Sequence, residues 1–159
     1  MATSIEERNK QRVQYFYEEL WNKGRLEVAD EVFAPDFVGH APGSQDDTKG
    51  PEGVKKVVTM FRKATPDVKL VIDAQYAEGD KVGSRFTLTG TQTGSLMGIR
   101  PTGRPIKMYG MAITRFNDEG MVVSDWGEFD LLGVLAQIGV MPTPPQPEGD
   151  ASESGNAVP

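Results

Sequence analysis

The sequence changes character at Pro66, and this change constrains the fold more than any other feature. Before Pro66, apolar residues recur every three or four positions, which predicts amphipathic helices. After it, β-branched and aromatic residues cluster in short stretches separated by turns, which predicts strands. Helices that are grouped on one side of an antiparallel sheet form an α+β domain. We therefore expect an α+β fold in which helices cover a sheet.

Three helices and one short strand are predicted in the first half of the chain. The first helix begins near Ser4, whose hydroxyl can accept a backbone hydrogen bond, and it ends before Gly24. A second, short helix is expected at 26–33 and a strand at 36–40. Pro51 is predicted to lie in the first turn of a third helix, where its missing N–H costs nothing.

Four strands and a final short helix are predicted in the second half. The strands are expected at 68–72, 82–93, 106–116 and 121–129, and the helix at 131–138. Turn-forming glycine, asparagine and aspartate separate them. The longest connection, at 94–104, is predicted to be a loop.

The chain of 159 residues fits a single domain with one core. Apolar residues make up 38% of the chain, which is a low fraction for a globular domain, and the C-terminal end accounts for much of the difference. Residues 142–159 are rich in proline and contain no aromatic residue, so they cannot bury enough apolar surface to offset the entropy of ordering. We predict a domain at 1–141 followed by a disordered tail at 142–159.

The composition argues against several classes of site and partner. The absence of cysteine excludes disulfides, thiolate catalysis and Cys-ligated metals, and the single histidine, His40, excludes a multi-histidine metal site within one chain. The net charge of −6, without a basic stripe, argues against nucleic acid as a partner. No apolar run approaches the roughly 18–20 residues that cross a membrane, and the polar N-terminus is unlike a signal peptide. A carboxylate-only magnesium or calcium site remains possible, although no EF-hand-like spacing of aspartates is present. We expect a cytoplasmic protein.

Three segments carry a resemblance to a known family. WNKGRL at 21–26, followed by FVGH at 37–40, resembles the opening of nuclear-transport-factor-2-like domains. TGTQTG at 89–94, with GIRPTGR at 98–104, resembles a hairpin of the SnoaL-like polyketide cyclases. WGEFD at 126–130, with the following LL and QIG, resembles the C-terminal part of the same family. The resemblance covers roughly residues 5–141.

This resemblance implies a cone-shaped, curved antiparallel sheet with three N-terminal helices and a short C-terminal helix around one apolar pocket. Members of the family are commonly homodimers. The cyclases close a ring on an apolar, polyketide-like substrate by aldol chemistry. A carboxylate in the pocket moves the proton, and neither a metal nor a cofactor takes part.

The sequence SDWGEFD places three carboxylates on the last predicted strand. With uninterrupted alternation, Trp126, Glu128 and Asp130 share one face, and Asp125 lies on the other. If Trp126 lines the pocket, Asp130 does too, and Asp125 lies on the surface. A carboxyl among apolar side chains has a raised pKa, which suits proton transfer near neutral pH. Asp130, which also matches the family's acid/base position, is therefore predicted to be catalytic. The alternative is that it caps the helix beginning at Leu131.

His40 is the second candidate catalytic residue. The resemblance places it at the mouth of the pocket, where it could orient the substrate or relay a proton, because histidine titrates near neutral pH. Tyr17 precedes Gly24 by seven residues, the spacing at which related isomerases place an oxyanion-donating tyrosine; a purely structural role is the alternative. The candidate substrate-binding residues are Tyr17, Trp21, Arg85, Gln92, Met108, Thr114, Trp126 and Glu128.

Two of these positions depart from the cyclase pattern. Gln92 and Thr114 stand where family members often carry histidine, and neither side chain exchanges a proton near neutral pH. Arg85 could face the pocket as a charge partner or lie on the surface. The leading prediction is a cyclase. The alternatives are an epoxide hydrolase of the limonene-epoxide-hydrolase type, whose Arg-x-Asp pair is missing here, and a non-catalytic small-molecule binding protein.

Overall fold

A computed structural model describes residues 3–142 of the chain. The predicted tail therefore lies outside the described residues, apart from Pro142. No helix in the described part of the chain is long and apolar enough to cross a membrane.

The helices lie close to their predicted positions. Helix α1 spans Ile5–Phe16, and the Ser4 hydroxyl accepts a hydrogen bond from the Glu7 backbone N–H at 3.1 Å. The chain continues without interruption as a π-helical segment, Tyr17–Asn22, which the sequence pattern did not predict. The remaining helices are α2 at Val28–Val32, α3 at Gly50–Ala64 and α4 at Leu131–Gln137.

Within residues 3–142, six strands form one unclosed sheet in the order β2-β1-β6-β5-β4-β3. Their bounds are β1 Phe33–His40, β2 Thr48–Lys49, β3 Lys69–Glu78, β4 Lys81–Thr91, β5 Pro105–Phe116 and β6 Val122–Phe129. All neighbouring strands are antiparallel except β1 and β6, which run parallel. The predicted α+β class is confirmed, with this parallel pair as a departure from a purely antiparallel sheet.

The two faces of the sheet differ in burial, and β5 shows this clearly. Its residues alternate between buried and exposed along the whole strand. We call the face that includes Met108 and Thr114 the inner face, because it belongs to the buried core that α1 and α3 complete. The opposite face, which includes Met111 and Ile113, is the outer face. Each side chain of the candidate site can be assigned to one of these two faces.

Candidate functional site

A β-bulge in β6 decides which carboxylate faces inward. Phe116 pairs with Val122 and both are buried, whereas Arg115 pairs with Ser124, so Val123 is an extra residue on β6. The extra residue reverses the alternation that follows it. Asp125 therefore pairs with Thr114 on the inner face, and the next residue along the strand points outward.

The Asp125 carboxyl is held by a buried hydroxyl. Thr114 is fully buried, and its Oγ1 donates a hydrogen bond to Asp125 Oδ1 at 2.7 Å. Burial raises the pKa of Asp125 to about 6, against the opposing effects of the Thr114 hydrogen bond and the charge of His40. Asp125 Oδ2 has no hydrogen-bond partner within residues 3–142 and is not among the fully enclosed unpaired atoms found there, so it remains accessible.

Tyr17 is a further polar group on this side of the sheet. It begins the π-helical segment, is 7% exposed, and packs edge-to-face against Phe86 with ring centroids 5.8 Å apart. Burial, and then the negative charge of Asp125, raises the pKa of Tyr17 above its usual range. Tyr17 therefore stays a neutral hydrogen-bond donor at physiological pH, and it lies close enough to Asp125 for the two groups to interact electrostatically.

His40 lies at the end of β1, next to the inner site but on the other face of the sheet. It pairs with Trp126, and the two rings are stacked with centroids 3.8 Å apart. Its Nδ1 is 2.7 Å from Asp47 Oδ1, so the ring is fixed from two sides. The charge of His40 acts on Asp125, whereas the hydrogen bond of the His40 ring is to Asp47.

The predicted orientation of the SDWGEFD segment is wrong, because the bulge reverses it. Trp126 is 58% exposed on the outer face, and Glu128 is exposed on the same side. Asp130 is exposed and caps α4, where its Oδ1 accepts a hydrogen bond from the Gly133 backbone N–H at 2.8 Å. Asp125, which was expected on the surface, is the inward carboxylate. A catalytic role of Asp130 remains a prediction, but the capping alternative describes its contacts.

The structure also separates the remaining candidate substrate-binding residues. Arg85 is exposed on the outer face, so the surface alternative holds for it. Met108 is buried on the inner face, and Trp21 is half-buried with its ring 5.8 Å from that of Phe61. Gln92 is fully buried, but its amide bonds the backbone of residues 99–102 and the Thr102 hydroxyl. Gln92 thus stabilises the loop at 93–104.

Reasoning from the sequence missed Asp125, although one signal could have found it. Thr114 lies in an inward row of apolar residues, and a buried hydroxyl requires a hydrogen-bond partner. If the pairing of β6 with β5 shifts by one residue, Asp125 faces Thr114 and becomes that partner. Buried polar residues on β5 are therefore a better guide to the orientation of β6 than the size of Trp126.

Two shallow grooves lie elsewhere on the surface. One, of about 490 Å³, lies between Thr91, Lys107 and Gln137, and the other, of about 510 Å³, lies beside Phe33 and Pro51. Neither is lined by Asp125 or its partners. Within residues 3–142 the acidic side chains and His40 form no group of three or more that could hold a metal ion.

The raised pKa of Asp125 predicts a pH-dependent stability. The folded chain holds the Asp125 proton up to about pH 6, whereas the unfolded chain releases it near its ordinary pKa of 3.8. This contribution to stability is complete below about pH 4 and is lost as the pH rises through 6, by about 2–3 kcal/mol.

Urea unfolding of the wild type and of Asp125→Asn between pH 4.5 and 8 measures this effect. The variant lacks the ionisation, so it should become the more stable protein as the pH rises. The other carboxylates are shared by both proteins and cancel in the difference. Stability curves that stay parallel across the whole range would contradict the assignment.

Comparison with known proteins agrees with the fold and with the resemblance. The family model of the SnoaL-like polyketide cyclases matches residues 11–138. A search of curated proteins found no match.

Three solved structures illustrate the similarity. A protein from Jannaschia sp. CCS1, assigned as a SnoaL-like polyketide cyclase, is 26% identical with a TM-score of 0.80, over 89% of this chain and 99% of that one. IdmH from Streptomyces antibioticus, assigned as a polyketide cyclase, is 32% identical with a TM-score of 0.72, over 83% and 99%. AclR from Streptomyces galilaeus, assigned as a hydroxylase, is 28% identical with a TM-score of 0.74, over 87% and 85%. The family model covers most of the chain and the structures share its cone-shaped, nuclear-transport-factor-2-like fold, so the chain belongs to the SnoaL-like polyketide cyclase family.

Proposed function

We propose that the chain is an enzyme that closes a ring on a polyketide-like intermediate by acid/base catalysis without a cofactor. Asp125 takes the role that the sequence pattern assigned to Asp130. The observation that carries the proposal is the inward carboxyl of Asp125, which has a pKa of about 6 and one accessible oxygen. Such a group is ionised in part near neutral pH, and it can both accept and return a proton.

The proposed reaction uses two groups of the inner face. Asp125 Oδ2 accepts a proton from a carbon next to a carbonyl group, and the electrons of the broken C–H bond form an enolate. The neutral Tyr17 hydroxyl donates a hydrogen bond to the developing oxyanion. The enolate carbon then attacks a second carbonyl of the same molecule, which forms the ring bond and an alkoxide. Asp125 returns its proton to that alkoxide, so the enzyme ends in its starting state.

His40 has a different part in this proposal. Its ring is fixed by Trp126 and Asp47 on the outer side, so it is not the hydrogen-bond partner of Asp125. When His40 is protonated, its charge favours the ionised form of Asp125. We therefore assign it an electrostatic effect on the carboxylate, in place of the predicted proton relay.

Hydrogen exchange on a model ketone tests the first step separately from the natural substrate. The probe is 2-tetralone, a neutral aromatic ketone with acidic α-hydrogens, dissolved in D₂O and followed by NMR. Wild-type protein should accelerate deuterium incorporation, Tyr17→Phe should be slower, and Asp125→Asn should lose most of the acceleration. Binding of 2-tetralone without accelerated exchange would favour the binding-protein alternative.

We also propose that two copies pair through the outer face. Four large apolar side chains of β5 and β6 are each more than half exposed there: Tyr109, Met111, Ile113 and Trp126. A cluster of this kind on a sheet face is typical of a protein–protein interface. Two-fold pairing would cover the cluster with an identical one.

The charges beside this cluster favour a second copy as the partner. Arg85, Met111 and Glu128 lie in one row across β4, β5 and β6, so the two charges flank Met111 about 5 Å away on either side. Neither charge takes part in an ion pair within residues 3–142. A two-fold axis parallel to β5 at Met111 places Glu128 opposite Arg85 of the partner subunit, twice per dimer.

Charge reversal should therefore weaken the dimer and a double reversal should restore it. Arg85→Glu and Glu128→Arg each bring like charges together twice, so we expect the dimer dissociation constant to rise at least about tenfold. The double variant should return towards the wild-type value, and Lys56→Glu on α3 should have no effect. Sedimentation of the four variants and the wild type measures the dimer dissociation constant. Two outcomes would contradict the interface: a wild type that is monomeric at about 100 µM, or a double variant that dimerises as weakly as the single variants.

A further inference from the structure

Thr114 makes an unusual contact for a residue of an apolar row. It is fully buried on the inner face of β5, and its hydroxyl lies 2.7 Å from one oxygen of Asp125, its direct partner across the strands. Threonine is stiff at χ1 because it is branched at Cβ, so a buried threonine holds its hydroxyl in place. The contact is therefore a fixed feature of the site.

We propose that Thr114 is a positioning residue that reserves Asp125 Oδ2 as the oxygen that accepts and returns the proton. The inference rests on the proposed acid/base role of Asp125. An ionised carboxylate can only accept hydrogen bonds, so the Thr114 hydroxyl must be the donor to Oδ1. Oδ1 accepts this hydrogen bond and is therefore the less basic of the two oxygens, whereas Oδ2 accepts none within residues 3–142, so the proton taken from the substrate forms its new O–H bond at Oδ2. The Thr114 hydroxyl keeps its own proton throughout, and the same Oδ2–H bond breaks when the proton is returned.

The surroundings of Asp125 allow the effect of Thr114 to be isolated. The groups that influence its charge are Thr114 on β5, Tyr17 on the π-helical segment and His40 on β1. Tyr17 stays neutral over the range in which Asp125 titrates. His40 is removed from the comparison because every variant below retains it.

Valine and serine substitutions separate the hydroxyl from the shape of the side chain. Thr114→Val keeps the branched shape and the strand preference but removes the donor, and Thr114→Ser keeps the donor. The Asp125 carboxyl carbon is followed by NMR in protein labelled at aspartate, and its signal is assigned by its loss in Asp125→Asn. The Thr114 hydrogen bond stabilises the ionised form, so its loss should move the midpoint of the titration in Thr114→Val to higher pH. Thr114→Ser should titrate near the wild type.

A Thr114→Val titration that coincides with the wild type would overturn the proposal, and so would a shift shared equally by the serine variant. Urea unfolding of both variants checks that each is folded with a stability close to that of the wild type. The exchange of 2-tetralone gives a second readout, in which the pH dependence of the rate should move upwards with the carboxyl midpoint. If the wild type catalyses no exchange, the proposed function fails, but the titration still decides whether Thr114 holds the carboxylate.

Discussion

Asp125→Asn should abolish most of the acceleration of deuterium exchange on 2-tetralone, with a loss of at least about 10²-fold in rate. General-base catalysis by a positioned carboxylate contributes about 10²–10⁴-fold, and an amide of the same size cannot accept the proton. The Asn side chain can still accept the hydrogen bond from Thr114, which preserves the local structure. The measurement is the initial rate of exchange at pH 7.5, at equal concentrations of folded protein.

Asp130 provides the matched control for this prediction. Asn caps helices as well as Asp, so Asp130→Asn should keep both the exchange rate and the stability. Asp130→Ala should keep the rate but lose about 0.5–2 kcal/mol of stability, because the Gly133 N–H loses its partner. An exchange rate that collapses in Asp130→Asn and survives in Asp125→Asn would return the catalytic role to Asp130 and refute our assignment.

Gly94→Ala should lower the free energy of unfolding by about 3 kcal/mol, far more than the matched substitution Gly127→Ala. A Cβ at this position would overlap the Lys63 carbonyl oxygen and come within 3.0 Å of Ala64 Cα. Both are backbone atoms, so no side chain can turn away. The Gly94 N–H also donates to the Ala64 carbonyl at 3.0 Å, which ties the start of the loop at 93–104 to the end of α3. The substitution must break this junction.

Gly127→Ala is the control for the effect of the added methyl group. The nearest atom to a Cβ there, the His40 carbonyl oxygen, is 3.9 Å away, which is an ordinary contact. The change should alter the free energy of unfolding by less than about 1 kcal/mol, because alanine also restricts the unfolded chain. Urea unfolding of both variants measures the difference. Equal stability of the two would show that the junction at Gly94 can relax.

The order of helices and strands, apart from the two-residue strand β2, could be predicted because each depends on local periodicity. The apolar face of α1 and the regular alternation on β5 follow directly from side-chain geometry in a helix and a strand. The cap at Asp130 was also foreseeable as an alternative, since Leu131 begins a helix. These features need only a few neighbouring residues to be specified.

The orientation of the site could not be predicted in the same way, because it depends on pairing between strands. One extra residue at Val123 exchanges the inward and outward sets of β6, and nothing in the composition of that strand marks it. The π-helical segment was likewise not marked by the local pattern, and its first residue, Tyr17, packs edge-to-face against Phe86. The candidate acid/base therefore moved from Asp130 to Asp125, although the fold was predicted correctly.

The parallel pairing of β1 with β6 has a consequence for biosynthesis. β1 ends at His40 and β6 begins at Val122, so 82 positions separate the two strands along the chain. During synthesis β1 emerges early but must wait for β6, and such distant pairings form slowly. Until then, the β1 edge has no partner from the main sheet, and an unpaired edge invites association with other chains. The pairing of β1 with β6, the strand that carries Asp125, is thus completed only when nearly all of the domain has left the ribosome.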